Sequence, residues 1–124
     1  MARPGSVTGW TLDPREREAL LKQFPPKFAN VVAHHVTLAT DAEQEPLPPE
    51  VCSGIVGRVD HCAGVEAMVV TIDGATDRPD GSTFHVTWSL AEGRSARESN
   101  DLIKARGWDE FDHPVSIALT PARI

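Results

Sequence analysis

The chain has little of what several protein classes require. No apolar run reaches the ~20 consecutive residues of a transmembrane helix, so no membrane partner is expected. The start, Met1-Ala2-Arg3-Pro4-Gly5-Ser6, lacks an apolar h-region, and no secretory signal peptide is expected there. Cations are scarce: 12 Lys and Arg stand against 18 Asp and Glu, a formal net charge of −6. That balance argues against a broad footprint on duplex DNA, which needs many Lys and Arg contacts to phosphates. It leaves room for a small nucleotide or one RNA end, held in a pocket by a few cationic groups. Cysteines number two, Cys52 and Cys62, on either side of a strand-like segment. At roughly 3.3 Å per residue that strand holds them about 30 Å apart, whereas a disulfide needs Cα atoms within about 7 Å. Free thiols in a reducing cytoplasm follow. There is no Cys-x-x-Cys, and Asp60-His61-Cys62 has no second cluster to complete a site, so no metal and no other cofactor is expected.

What is present suffices for one domain spanning 1–124, with 40% hydrophobic residues to build its core and residues 1–6 expected to fray. Val7 to Leu12 reads as a strand. Asp13 then caps a helix from Pro14 to about Gln23, with Glu16 three residues after the cap and Pro25-Pro26 ending it. A strand follows from Val31 to Ala39. Asp41 to Pro49, acidic and holding three prolines, is a loop, either a plain connector or a lid. Val51–His61 and Val65–Asp73 read as a hairpin across Cys62-Ala63-Gly64. Gly74 to Gly81 is a turn-rich loop delivering the next strand. Ser95 and Glu98 form a second capping box, opening a helix to Arg106 that Gly107 stops, and Pro114 to Thr120 is the last strand. The order β-α-β-β / β-β-α-β is that of an α+β fold with two pseudo-symmetric antiparallel lobes.

The most informative feature is a tripeptide written twice. His35-Val36-Thr37 and His85-Val86-Thr87 lie 50 residues apart, each inside a β-rich run. Side chains alternate along a strand, so each copy presents an imidazole and a hydroxyl on one face and a valine on the other. Two such strands side by side would aim two His and two Thr at one point. Imidazoles titrate near neutrality and so serve as general acid and base. Threonine hydroxyls donate to oxygens on which charge develops. A phosphodiester suits this set. By the same alternation Ser89 joins the face of His85 and Thr87, whereas His34 points away from His35 and is expected to be structural. Arg94, Arg97 and Lys104 are the candidate cations, beside a helix start that favours an anion. Trp10 either stacks on a base or sits in the core; Trp88 is core, and His113 is a loop residue.

With Phe24-Pro25-Pro26 leading into His34-His35-Val36-Thr37-Leu38, and Ala96-Arg97-Glu98-Ser99-Asn100-Asp101-Leu102 after the second motif, the chain resembles the two-histidine (2H) phosphoesterases. The likeness is to the cyclic phosphodiesterase modules of RNA-repair and tRNA-ligase proteins, and it covers roughly residues 10 to 120. The interval between motifs is shorter than the family norm, which makes this a compact member with trimmed loops. The resemblance implies a two-lobed fold with a central cleft and metal-independent opening of 2′,3′-cyclic phosphates, at RNA ends or on nucleotides, to 2′-phosphates. His35 and His85 would be the catalytic pair, with Thr37, Thr87 and Ser89 binding substrate. Within that fold, a 3′–5′ exonuclease or a cyclic-dinucleotide hydrolase is the neighbouring expectation. Outside it stand a catalytically silent module binding phosphate or RNA ends and a metal-binding domain using His34, His35, His61 and Cys62. The sequence carries no signal for an oligomeric state.

Overall fold

A computed structural model describes residues 5–40, 42–61 and 64–124, excluding the side chain at position 61. Among these described residues eight strands and two helices follow in the order β1 (Thr8–Leu12), α1 (Pro14–Gln23), β2 (Asn30–Val31), β3 (His35–Ala39), β4 (Ser53–His61), β5 (Val65–Ile72), β6 (His85–Leu90), α2 (Glu98–Arg106), β7 (Asp109–Ile117) and β8 (Leu119–Arg123). They form an α+β fold with two antiparallel sheets. The smaller has the order β3-β1-β8 and the larger β2-β6-β5-β4-β7. The sheets are therefore unequal, and the last strand of the chain belongs to the sheet of the first.

Two expected strands are each broken, and the breaks are where the chain changes sheets. Asn30 and Val31 pair with Leu90 and Ser89 in the larger sheet, but His35–Thr37 pair with β1 in the smaller. Between them Ala33 has φ +40°, a left-handed conformation that interrupts the pleat. The second break falls at Ala118, between β7 in the larger sheet and β8 in the smaller. Neighbouring residues of α1 hold both crossings. Arg17 donates to Ala33 O at 2.9 Å and to Val32 O at 3.2 Å, while Glu16 accepts from Ala118 N at 3.0 Å. Glu16 thus serves the second crossing rather than closing a capping box. Asp13 alone caps α1, accepting from Arg15 N and Glu16 N.

Burial follows from these placements. Trp10, Leu12 and Val36 of the smaller sheet pack with Ile55, Met68, Val70, Val86 and Trp88 of the larger and with Leu20 of α1. On the opposite face of the larger sheet, Val65, Ala67, Val69 and Leu90 pack against Leu102 and Ile103 of α2. Trp10 is core, its indole N–H donating to Pro49 O.

Smaller corrections accompany the fold. Of the terminus expected to fray, residues 1–4 lie outside the described residues, while Gly5 N donates to Ile124 O and Ser6 is buried. The loop after β3 is tied down by Arg123, which donates to the carbonyls of Ala42, Glu43 and Glu45. His113 lies in β7 and is exposed; Pro114 is tolerated there because β7 is an edge strand with irregular pairing. Cys52 is an exposed free thiol at the foot of β4, and Cys62 lies outside the described residues.

Candidate active site

The two tripeptides come from different sheets and converge. Val36 and Val86 are fully buried in the shared core. His35 and Thr37 therefore turn to the other side of β3, and His85 and Thr87 to the other side of β6, as strand alternation dictates. All four side chains line one cavity of about 210 Å³. The turn leading into α2 closes it, contributing Arg97, and α2 itself contributes Asn100. Arg78, in the loop before β6, completes the wall.

Each imidazole is conditioned by its surroundings. His85 Nδ1 lies 2.9 Å from Thr83 O. A carbonyl only accepts, so Nδ1 carries the proton, and in the neutral ring Nε2 is left as an acceptor. Burial lowers the His85 pKa; the bond to Thr83 opposes that, and the nearby Arg78 charge adds to it. His35 is pushed down to about 4, first by burial, then by the charges of His34 and His85. Desolvation penalises the cation in both cases. Both shifts favour the neutral ring. A bound anion would act in the opposite direction on each.

Thr87 is more constrained than Thr37. Its Oγ1 is 2.9 Å from Ser99 Oγ, a fully buried hydroxyl on α2, and 3.4 Å from Ala96 O. Ser99 orients Thr87, a role the sequence did not suggest because it depends on where α2 docks. Asn100 Oδ1, in the cavity wall, is buried without a hydrogen-bond partner among the described residues. Such an atom costs about 1–3 kcal/mol unless something donates to it.

Three expectations are revised by the geometry. Ser89 does not join the cavity. Glu66 pairs with Ser89 but Ala67 with Thr87, so Trp88 is the extra residue of a β-bulge. The alternation slips by one, and Ser89 turns to the core side, where its hydroxyl donates to Glu66 Oε1 at 2.6 Å. Glu66, 0% exposed, also accepts from Lys27 N at 3.1 Å and from Arg58 Nε at 3.0 Å. His34 does not point away from His35; the turn at Ala33 brings the two rings together, with centroids 5.2 Å apart. Of the three candidate cations only Arg97 lines the cavity. Arg94 instead pairs with Glu98 at 2.9 Å, and Lys104 is exposed elsewhere on α2.

The cation that sequence reasoning missed is Arg78. Its side chain is 7% exposed and forked onto Asp80, with Nε to Oδ1 at 3.0 Å and Nη2 to Oδ2 at 2.7 Å. Those bonds, with another from Ser82, hold the Asp80 carboxyl well below the usual carboxylate range. The available signal was an acid two residues after an arginine, within the turn that delivers the second motif.

Among the described residues no three His, Cys, Asp or Glu side chains gather as a metal site. The His61 side chain and Cys62, the alternative ligands, lie outside them. No helix of the described residues is long and apolar enough to cross a membrane. Comparison with protein-family models, curated proteins and solved structures finds nothing that matches this chain.

Proposed function

We propose that this protein is a two-histidine phosphodiesterase that opens 2′,3′-cyclic phosphates, on nucleotides or at RNA ends, to 2′-phosphates without a metal. One observation carries the reading: two imidazoles from separate sheets, each with a threonine two residues on, line a single cavity that also holds Arg78 and Arg97. Opening the ring needs one group to take a proton from water and another to give one to the leaving 3′ oxygen. His85, with Nε2 an acceptor, suits the base. His35 then serves as the acid. Each proton transfer is worth about 10²–10⁴ in rate. Thr37, Thr87 and the two arginines would stabilise charge on the non-bridging oxygens.

Size and polarity support a terminal phosphate with its sugar. The cavity's 210 Å³ lies below the roughly 300–1,000 Å³ of pockets that enclose a whole small molecule, which disfavours a cyclic dinucleotide. The unpartnered Asn100 Oδ1 is matched by a ribose hydroxyl as donor. Ser89 has no part in substrate binding in this reading. A silent phosphate-binding module is the second reading, favoured by the two arginines, which hold an anion whether or not proton transfer follows.

The test is turnover of the four 2′,3′-cyclic nucleotides and of a cyclic-phosphate-ended oligoribonucleotide, with products assigned by ³¹P NMR. Wild type should yield 2′-phosphates, and His35→Ala and His85→Ala should each lose at least about 10²-fold. The double variant should be little worse than the poorer single, since the pair acts as a unit. Binding of the substrate without turnover by wild type would select the silent module; full activity in His85→Ala would end the two-histidine mechanism.

A further inference from the structure

His34 occupies the entry to β3, just after the left-handed Ala33. Its ring is exposed to water and stands edge-on to His35, with planes at 80° and Nδ1 atoms 3.0 Å apart. Two ring nitrogens at that distance hold one proton between them, one donating and the other accepting. The contrast with His85 is instructive. A carbonyl partner locks His85 into one neutral tautomer, whereas an imidazole partner leaves His35 free to exchange tautomers.

We infer that His34 is a positioning and proton-relay residue for His35, an inference that rests on the phosphodiesterase reading. The relay starts from the form in which His34 bears a proton on each nitrogen and His35, neutral, bears one on Nε2, with its Nδ1 accepting from His34. As the bond from phosphorus to the 3′ oxygen breaks, His35 Nε2–H passes to that oxygen and His34 Nδ1–H passes to His35 Nδ1. His34 ends neutral, His35 ends neutral as the other tautomer, and His85 holds the proton taken from water. After product leaves, water in the cavity carries that proton from His85 to His35 Nε2, and His35 Nδ1–H returns to His34. The proton count closes, with no further reactant.

The arrangement answers a difficulty in the site. Burial makes a charged His35 costly, yet an acid must have a proton to give. Through the relay His35 delivers its proton in the bond-breaking step without bearing net charge, the proton it gives being replaced from the water-exposed ring. The charged or titratable groups around the pair are His85 on β6, Arg78 before β6, Arg97 before α2 and Arg17 of α1, bonded to the Ala33 carbonyl. Among the described residues no carboxylate lines the cavity, and the group in hydrogen-bond contact with His35 there is His34.

Two variants test this: His34→Ala, which removes hydrogen bond and relay, and His34→Asn, whose amide replaces the hydrogen bond alone. Because His34 is exposed, both should fold, with melting temperatures close to wild type. His34→Ala should lose kcat by about 10²-fold, the scale of one general-acid contribution, with KM little changed. In both variants the alkaline limb of the kcat profile, where the acid loses its proton, should move to lower pH, because His35 must then carry its own charge. ¹⁵N NMR should show His35 Nδ1 shifted in His34→Ala without substrate. Wild-type turnover with an unchanged His34→Ala profile and kcat within about twofold, or an unmoved Nδ1 signal, overturns the relay alone. Absence of wild-type turnover overturns the phosphodiesterase reading and the relay with it.

Discussion

Ser89→Ala separates the observed arrangement from the one that strand alternation suggests. In the structure the Ser89 hydroxyl does two things, both on the core side of the larger sheet: it donates to Glu66 Oε1 at 2.6 Å and accepts from Phe28 N at 3.2 Å. Glu66 is 0% exposed, so no water replaces the lost donor. Hydrogen bonds to charged groups contribute about 1.5–3 kcal/mol, and an ordinary one about 1 kcal/mol. Removing the hydroxyl should therefore destabilise the fold by about 3 kcal/mol, a fall in Tm on the order of 10 °C for a domain of this length. In a Glu66→Gln background the Ser89→Ala increment should shrink to about 1 kcal/mol, because the charge that strengthens the bond is gone. Urea unfolding followed by circular dichroism supplies both numbers, and turnover at a temperature where the variant is folded supplies the third. That turnover should stay near wild type. An unchanged Tm with lost turnover would refute the bulge at Trp88 and return Ser89 to the cavity.

Other expectations follow from the same geometry. His35 and His85 have folded pKa values below their ordinary one, so the unfolded chain binds more protons as pH falls. Stability should accordingly be complete above about pH 6.5 and decline as pH falls towards about 4; urea midpoints across that range should fall steadily, and less so in His35→Asn, and a flat profile in wild type would contradict the burial of both rings. Gly9→Ala would set a Cβ 2.1 Å from Val36 O, wedging β1 from the first motif strand; a loss of about 1–3 kcal/mol in chemical denaturation is expected, and none would refute that close approach. Thr37→Ala and Thr87→Ala should each lose about 10–10³ in kcat, as single donors to a developing oxyanion do, whereas loss confined to KM would assign them to ground-state binding alone. Turnover should survive EDTA, because proton transfer and charge stabilisation are assigned to side chains; loss on chelation, restored by zinc, would overturn the metal-free mechanism and turn attention to His61 and Cys62.

The sequence by itself determined which face each motif residue takes within its own strand. His35 and Thr37 oppose Val36, and His85 and Thr87 oppose Val86, because alternation is a steric property of the extended chain and needs no partner. Helix α1 was equally readable, since Asp13, Pro14 and the Pro25-Pro26 stop act within a few residues of one another. The tertiary structure decided where alternation fails. The bulge that turns Ser89 away exists only in register with β5, some 20 residues distant, where a buried Glu66 draws the hydroxyl. The turn at Ala33 that brings His34 onto His35 is pinned by Arg17 from α1, and the strand that seemed continuous there serves two sheets. Arg78 reads in sequence as one more polar loop residue, and only its fork onto Asp80 beside His85 makes it a wall of the cavity. Local sterics act along the chain and can be read from it. Register, sheet exchange and buried ion pairs depend on segments far apart in sequence, and folding alone brings those into contact.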